Sequence, residues 1–394
     1  MSEWCEYLLE DVIDRFIDYR GKTPKKTDTG IPLVTAKVVK SGKILPPNEF
    51  IAAEDYDAWM TRGLPKVDDV VLTTEAPLGE VALIKDTNVA LAQRIITMRA
   101  KEDLAFGPFL KFYFQNGAGQ HELQSRASGT TVFGIKASVL RKVPVELPSV
   151  HEQKAIAAVL SSLDDKIDLL HRQNKTLEAM AATLFRQWFV EEAQEDWENG
   201  TIADLIEFNP ARKLAKGTIA PYLEMAALSN ATFCPDGWYD REFSSGTKFI
   251  NGDTLLARIT PCLENGKTAY VTFLEDGQVA WGSTEYIVMR PKGSLHPFFA
   301  YTMARNGDFR DHAEGCLAGS SGRQRVDVDH LKNYKIKIPS RKVIGEFNAF
   351  AESVVSKLHS NALQIRTLEK LRDNLLPKLM SGEVRVQLDE GEAA

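Results

Sequence analysis

Residues Leu147–Ile167 read LPSVHEQKAIAAVLSSLDDKI: an apolar residue, Pro-Ser, then about forty residues with almost no helix breakers. Ser149 is placed to cap a helix, and Glu152 three positions on completes a Ser-x-x-Glu capping box. From there Ile156, Leu160, Leu163, Ile167, Leu170, Asn174, Leu177, Ala181, Leu184 and Trp188 follow one another in alternating steps of four and three. That spacing is a coiled-coil seam, since it returns apolar side chains to one stripe of a helix. The element then recurs. IPSRKVIGEFNAFAESVVSKL, Ile338–Leu358, opens the same way, and Pro148 and Pro339 lie 191 positions apart.

The offset holds beyond the helices. It carries Leu140 onto Leu331, Lys166 onto Lys357, and QNKTLE (173–178) onto QIRTLE (364–369). With small shifts GEVALI (79–84) answers GKTAYV (266–271), ITMR (96–99) answers IVMR (287–290), and LLEDVI (8–13) loosely answers TIADLI (201–206). A unit repeated once over most of the chain is a duplication, not a short-period solenoid. Before each Pro-Ser the texture is strand-like: DVVLTTE, VALIK, RIITMR and LRKVPVELP are separated by Gly, Pro and Asn. The expected fold class is therefore α+β, with two strand-rich domains each followed by a long helix. The boundaries are 1–146 and 196–338 for the domains, and 147–195 and 339–394 for the helices, the last with an acidic tail.

At the same offset the second seam reads Phe347, Ala351, Val354, Leu358, Asn361, Ile365, Leu368, Arg372, Leu375 and Leu379. Asn174 and Asn361 either mark the register, because a buried amide needs a partner, or sit solvated at the seam edge. Ser340 is placed to cap this helix, but Val343 stands where a capping box wants Glu. A helix of about forty residues spans about 60 Å. Pairing the two seams antiparallel within one chain puts one domain at each end of such a rod. The alternatives are helices folded onto their own domains, or pairing between two chains. Two similar heads at a fixed separation suit a polymer with twofold-related half-sites, and DNA is such a polymer.

Composition bounds the rest. The chain has 394 residues, 44% hydrophobic and 26% charged, with net charge −6. No apolar run reaches the roughly 18 residues of a membrane span, and the acidic start MSEWCEYLLEDVIDRF lacks a signal-peptide pattern. A cytoplasmic location is expected. A DNA binder of this charge has to concentrate its cations locally. Cys5, Cys234, Cys262 and Cys316 form no CxxC pair, so free, mostly buried thiols are expected and no metal site.

Catalytic signals are lacking. The two GKT runs, Gly21–Thr23 and Gly266–Thr268, have Phe16 and Pro261 where a phosphate loop needs Gly. FNPA (208–211) shares Asn-Pro with the catalytic loop of DNA adenine methyltransferases but lacks its second Pro and its aromatic. No HExxH run and no strand-then-GxG cofactor turn occurs. Asp68-Asp69 and Asp164-Asp165 read as solvated pairs. Polar loops are more informative. YRGKTPKK (19–26) carries Arg20, Lys22, Thr23, Lys25 and Lys26; NPARKLAKGT (209–218) carries Arg212, Lys213 and Lys216. ASGTTVFGIK (127–136) offers Thr130, Thr131 and Lys136, and AGSSGRQRV (318–326) offers Ser320, Ser321, Arg323, Gln324 and Arg325. Thr74, Gln93, Arg94, Arg258 and Lys267 join them as candidate DNA contacts. Backbone amides and hydroxyls suit phosphate oxygens, and Arg and Gln suit base edges. A two-headed DNA adaptor, a coiled-coil scaffold with protein-binding heads, and a fused methyltransferase all remain open at this point.

RGKTPKK (20–26), LTTEAPLGEVALI (72–84), AQRIITMR (92–99) and SGTTVFGIKASVLRKVPVELPSVHEQKAIAAVLSSLDDKI (128–167) together resemble the DNA-specificity (S) subunit of type I restriction–modification systems. The resemblance covers nearly the whole chain. It implies two target-recognition domains reading a bipartite DNA site, with an antiparallel coiled coil as ruler over the gap. It implies a subunit without catalysis or cofactor of its own. Two modification subunits would use S-adenosylmethionine to methylate adenine, and restriction subunits would use ATP and Mg to translocate and cleave. The second copy departs from the pattern, with IPSRKVIGEF lacking Glu-Gln-Lys and TPCLENGKTAYV replacing APLGEVALI. That departure suggests unequal arms.

Overall fold

A computed structural model describes residues 4–129, 133–320 and 323–387. It divides into two compact units: residues 1–166 with 368–394, and residues 167–367. Each unit thus holds one strand-rich domain, together with stretches of the two long helices.

In the first unit an antiparallel ribbon, Cys5–Leu8 against Pro144–Leu147, brings the ends of the domain together. The long helix departs directly from this ribbon, because Pro148 ends the ladder and Ser149 caps the helix start; its Oγ accepts from Glu152 N at 3.3 Å. The central sheet orders its strands Ile13–Asp18, Ile95–Ala100, Val70–Thr74 and Leu78–Leu83, all neighbours antiparallel. A second sheet holds Ala90–Leu91, Ile31–Val34, Phe50–Ile51 and Lys26–Thr27. Helix Gly107–Gln115 lays Phe109, Leu110, Phe112 and Phe114 into the core under the central sheet.

The second unit repeats the scheme. Asn199–Thr201 pairs with Lys335–Lys337 as the closing ribbon. The central sheet runs Ile206–Phe208, Tyr286–Pro291, Thr254–Ala257, Thr268–Tyr270, and the second sheet Tyr239–Glu242, Ile219–Leu223, Ala280–Gly282, Thr247–Phe249. Helix Phe298–Arg305 takes the place of the aromatic helix. Of the strand runs legible in the sequence, DVVLTTE, VALIK and RIITMR form the first central sheet and LRKVPVELP the closing ribbon, and burial of each central sheet against an aromatic helix holds its domain together.

The long helices are Val150–Arg186, ending in a wider turn at Gln187–Glu191, and Arg341–Met380. In the first unit Ile156 and Leu160 of the first helix share a core with Leu375 and Leu379 of the second, and Leu163 and Leu368 are half-buried. In the second unit Ile167, Leu170 and Ala181 are buried; Leu177, Leu184 and Trp188 are half-buried. Facing them, Phe347, Ala351, Val354, Leu358, Asn361 and Ile365 are buried. Asn361 Nδ2 donates to Asn174 Oδ1 at 2.8 Å, and Trp188 meets Phe347 with ring centroids 6.4 Å apart. Moving fourteen residues up one helix, from Asn174 to Trp188, moves fourteen residues down the other, from Asn361 to Phe347, so the helices run antiparallel. The same helices also join the cores of their domains, so two arrangements posed as alternatives occur together.

Several expectations are corrected. Asp69 is not solvated: it is buried and bonds Arg99 Nε and Nη2 at 2.9 and 2.7 Å. Asp164 is not solvated either. It accepts from Lys111 Nζ at 2.7 Å and Arg372 Nη1 at 3.1 Å, which accounts for the charged residue in the second seam. Burial lowers the Lys111 pKa and Asp164 opposes that shift. No disulfide joins the cysteines, but only Cys316 is buried; Cys5 is exposed and Cys234 and Cys262 lie between.

Candidate nucleic-acid interface

In the first unit the central sheet gathers four connections at one end. Strand Ile13–Asp18 ends there, Val70–Thr74 turns into Leu78–Leu83 there, and Ile95–Ala100 begins there. The loop leading to Lys136 is drawn to the same end by a Glu75–Gly134 bridge and by Ile135 N donating to Thr74 O at 2.9 Å. Arg20 crosses it, with Nη1 donating to Ile135 O at 3.2 Å and Nε held by Asp18 at 3.1 Å. Arg94, at a positive φ of 72°, pairs with Glu75 at 3.0 Å. Arg20, Gln93, Arg94 and Lys136 are therefore brought together. Lys22 and Thr23 are exposed on the adjoining loop, while Lys25 and Lys26 lead away to the second sheet, where Lys26 pairs with Glu49 at 2.9 Å. Thr74 is 1% exposed, so its hydroxyl faces the interior and not a ligand. Thr130 and Thr131 lie outside the described residues.

The second unit gathers a matching end. Ile259 bridges Arg325, Thr260 N donates to Gln324 O at 3.1 Å, and Arg258 Nε donates to Val326 O at 2.9 Å. Arg325 grips Glu285 through Nε and Nη2, at 2.9 and 2.7 Å. Lys267 Nζ is turned to the carbonyls of Met225 and Ala226. Ser320 and Arg323 are exposed, and Ser321 lies outside the described residues. Arg212, Lys213 and Lys216 are not part of this cluster. Asn209, at φ 51°, turns the chain away, and Arg212 reaches Asp253 at 3.4 Å. Asp253 is fully buried, also bonds Arg290, and is the counterpart of Asp69 with Arg99; burial raises its pKa while the two guanidiniums oppose that.

Each cluster thus gathers arginines whose guanidiniums are already oriented by a carboxylate or carbonyl. Such an arrangement can present planar donors to phosphate oxygens and base edges. Among the described residues no group of three or more His, Cys, Asp or Glu is assembled as a metal site would be, and no helix is long and apolar enough to cross a membrane.

Known proteins share this organisation. The family model described as the type I restriction modification DNA specificity domain matches twice, at residues 1–179 and 194–347. The chain belongs to that family. It is a type I specificity subunit with two recognition domains. It is 25% identical over 347 residues to the type I restriction enzyme MjaIX specificity subunit of Methanocaldococcus jannaschii, covering 81% of this chain and 78% of the relative. The HindI specificity subunit of Haemophilus influenzae is 20% identical, covering 98% of this chain and all of the relative. The fold resembles the crystal structure of a type I restriction–modification S subunit from M. genitalium, with TM-score 0.60 and 14% identity over 98% of this chain and 97% of that one.

In the first recognition domain, sequence reasoning missed a group that ties the long helix to the domain and a group that holds the Arg20 loop. Gln153 is fully buried and joins the helix start to the loop at Leu104–Phe106; its only signal was its place in the HEQK run. Arg62, whose Nη1 donates to the carbonyls of Asp18 and Arg20, carried no signal at all.

Proposed function

We propose that this specificity subunit directs a type I restriction–modification complex in the cytoplasm to a bipartite DNA site. Each recognition domain, 1–146 and 196–338, reads one short half. The helical segments, 147–195 and 339–394, pair and set the unread gap. The observation that carries this reading is the double match to the DNA specificity domain, one match per half of the chain.

The chain itself performs no catalysis and binds no cofactor. Modification subunits bring S-adenosylmethionine and methylate adenine; restriction subunits bring ATP and Mg. The candidate clusters at the sheet ends contact the DNA, positioned by Arg20, Arg94 and Lys136 in the first domain and Arg258, Gln324 and Arg325 in the second. The proposal is tested by footprinting the complex on DNA in which the distance between the two halves is varied one base pair at a time. Protection of two short tracts at one preferred gap is expected. Sequence-blind protection, or a single continuous tract, would refute it.

A further inference from the structure

In the second recognition domain most candidate cations are already engaged: Arg212 by Asp253, Arg325 by Glu285, Lys267 by two carbonyls. One guanidinium outside the sheet-end cluster is held by neither carboxylate nor carbonyl among the described residues; it meets the Tyr239 hydroxyl, which itself donates to Glu224 at 2.6 Å. Arg241 lies exposed on the edge strand Tyr239–Glu242, and among the described residues no carboxylate forms an ion pair with it. The register Ala220↔Arg241, Tyr222↔Tyr239 and Tyr222↔Trp281 puts these side chains on one face of the sheet. The Arg241 guanidinium sits 4.7 Å from the Tyr222 ring centroid and 5.6 Å from that of Trp281, whose rings are themselves 4.4 Å apart.

Loop Asn209–Thr218 is stitched to the same strand, since Gly217 N donates to Phe243 O at 2.9 Å and Phe243 N to Thr218 O at 2.8 Å. It brings Lys213 and Lys216 to that edge. Asp240 and Glu242 alternate to the opposite face, and the one carboxylate bonded on the Arg241 face, Glu224, accepts from the Tyr239 hydroxyl at 2.6 Å. An aromatic floor holds a guanidinium in one plane, which reduces the entropy lost when its fork meets a planar acceptor edge.

We propose that Arg241, held on the Tyr222–Trp281 platform beside the Lys213–Lys216 loop, is a base-discriminating contact to double-stranded DNA. This rests on the reading that the domain binds DNA. The loop lysines meet phosphates, and the Arg241 fork, on the edge strand of the four-stranded sheet, meets a purine edge in the major groove. The first domain has no equivalent at its own stack. Tyr19 and Trp59 are stacked at 5.2 Å, but the guanidinium above them, Arg62, is tied to two backbone carbonyls. The effect is therefore confined to one half of the site.

The test is selection of bound sequences from randomised duplex DNA by the full chain in the complex it forms in its host, for wild type, Arg241→Ala and Arg241→Lys, with melting temperatures measured alongside. Wild type is expected to enrich a bipartite motif. Arg241→Ala should lose about tenfold or more of discrimination at one or two positions of one half only. Arg241→Lys should lose the same discrimination while keeping the salt dependence of binding, because it keeps the charge but not the fork. If wild type enriches a motif and both variants enrich it equally, Arg241 is not a reader, and the DNA-recognition reading stands without it. Relaxation in both halves together with a lowered melting temperature shows a structural role and also overturns the proposal. Enrichment of nothing by wild type overturns the underlying reading as well.

Discussion

The two units solve one problem with different residues. Each must fix the start of a long helix to the loop that precedes its aromatic helix. In the first unit Gln153 does this: its Oε1 accepts from Phe106 N at 2.9 Å, and its Nε2 donates to the carbonyls of Leu104 and Pro148, each at 2.9 Å. The position 191 residues on is Ile344, which packs against the core and bonds nothing through its side chain. One turn further, Asn348 supplies the amide. Its Oδ1 accepts from His296 N at 2.8 Å and its Nδ2 donates to Ser294 O at 2.6 Å. The arms look unequal in sequence because Glu-Gln-Lys is missing from the second. In three dimensions the amide brace is retained and its carrier has moved by one helical turn.

The polar contacts between the aromatic helices and the long helices differ more. In the first unit Lys111 meets Asp164, which also pairs with Arg372. In the second, Tyr301 donates to Glu178 at 2.6 Å and Arg305 pairs with the same carboxylate at 3.3 Å. Burial raises the Glu178 pKa, and Tyr301 and Arg305 oppose that shift. Both arrangements draw a carboxylate of the first long helix out of solvent, but the first answers it with two cations and the second with one cation and a phenol.

These differences give unit-specific effects, best read by hydrogen exchange on peptides from each unit. The largest is expected at Phe347, fully buried against Phe185, Phe189 and Phe299. Phe347→Ala should lower the stability of the second unit by about 4 kcal/mol, and equal loss of protection in both units would break the account of separate cores. Next, Asp164→Ala strands the Lys111 ammonium, whose side chain is 7% exposed, and should cost the first unit about 3 kcal/mol. Substituting Lys111→Met in the same chain should recover much of that loss. No recovery would show that Asp164 acts through something other than this pair. Gln153→Ala removes three bonds and leaves buried backbone groups without partners, at about 2 kcal/mol; Asn348→Ala, at a more exposed site, should cost about 1 kcal/mol. The reverse order would show that burial does not set the cost of losing each brace.

The smallest effect is a pH dependence in the second unit. His296 Nδ1 accepts from Phe298 N at 3.1 Å, and burial lowers its pKa below the usual histidine value, with Glu352 opposing the shift. A depressed histidine stabilises the fold above its unfolded pKa of about 6.5, and that contribution is lost as pH falls through the lower folded value. Stability of the second unit should therefore fall below about pH 6.5, and His296→Asn should flatten that slope. An unchanged slope in the variant would assign the pH response to another group.

How legible this was in the sequence depended on distance along the chain. The Pro-Ser starts, the heptad steps and the strand runs are local patterns, and their elements are where those patterns lie. The Asn174–Asn361 contact was left open, because spacing puts each amide on its seam without saying whether that part of the seam is dry. The candidate interface was less so. Thr74 follows Thr73 in a polar run, and only the packing of the sheet shows that both are buried. Arg212 reads as an open loop cation because Asp253, the acid that holds it, lies 41 residues away in sequence. Arg241 carries no local signal because its platform is assembled from two other strands, and nothing in YDRE announces the rings beneath it.

The most direct test of two readers in one chain is methylome sequencing of a host carrying the intact system. Two readers joined by a fixed spacer predict methylated adenines within a motif of two short defined halves, separated by an undefined gap of constant length. A single uninterrupted motif, or halves whose separation varies from site to site, would contradict that.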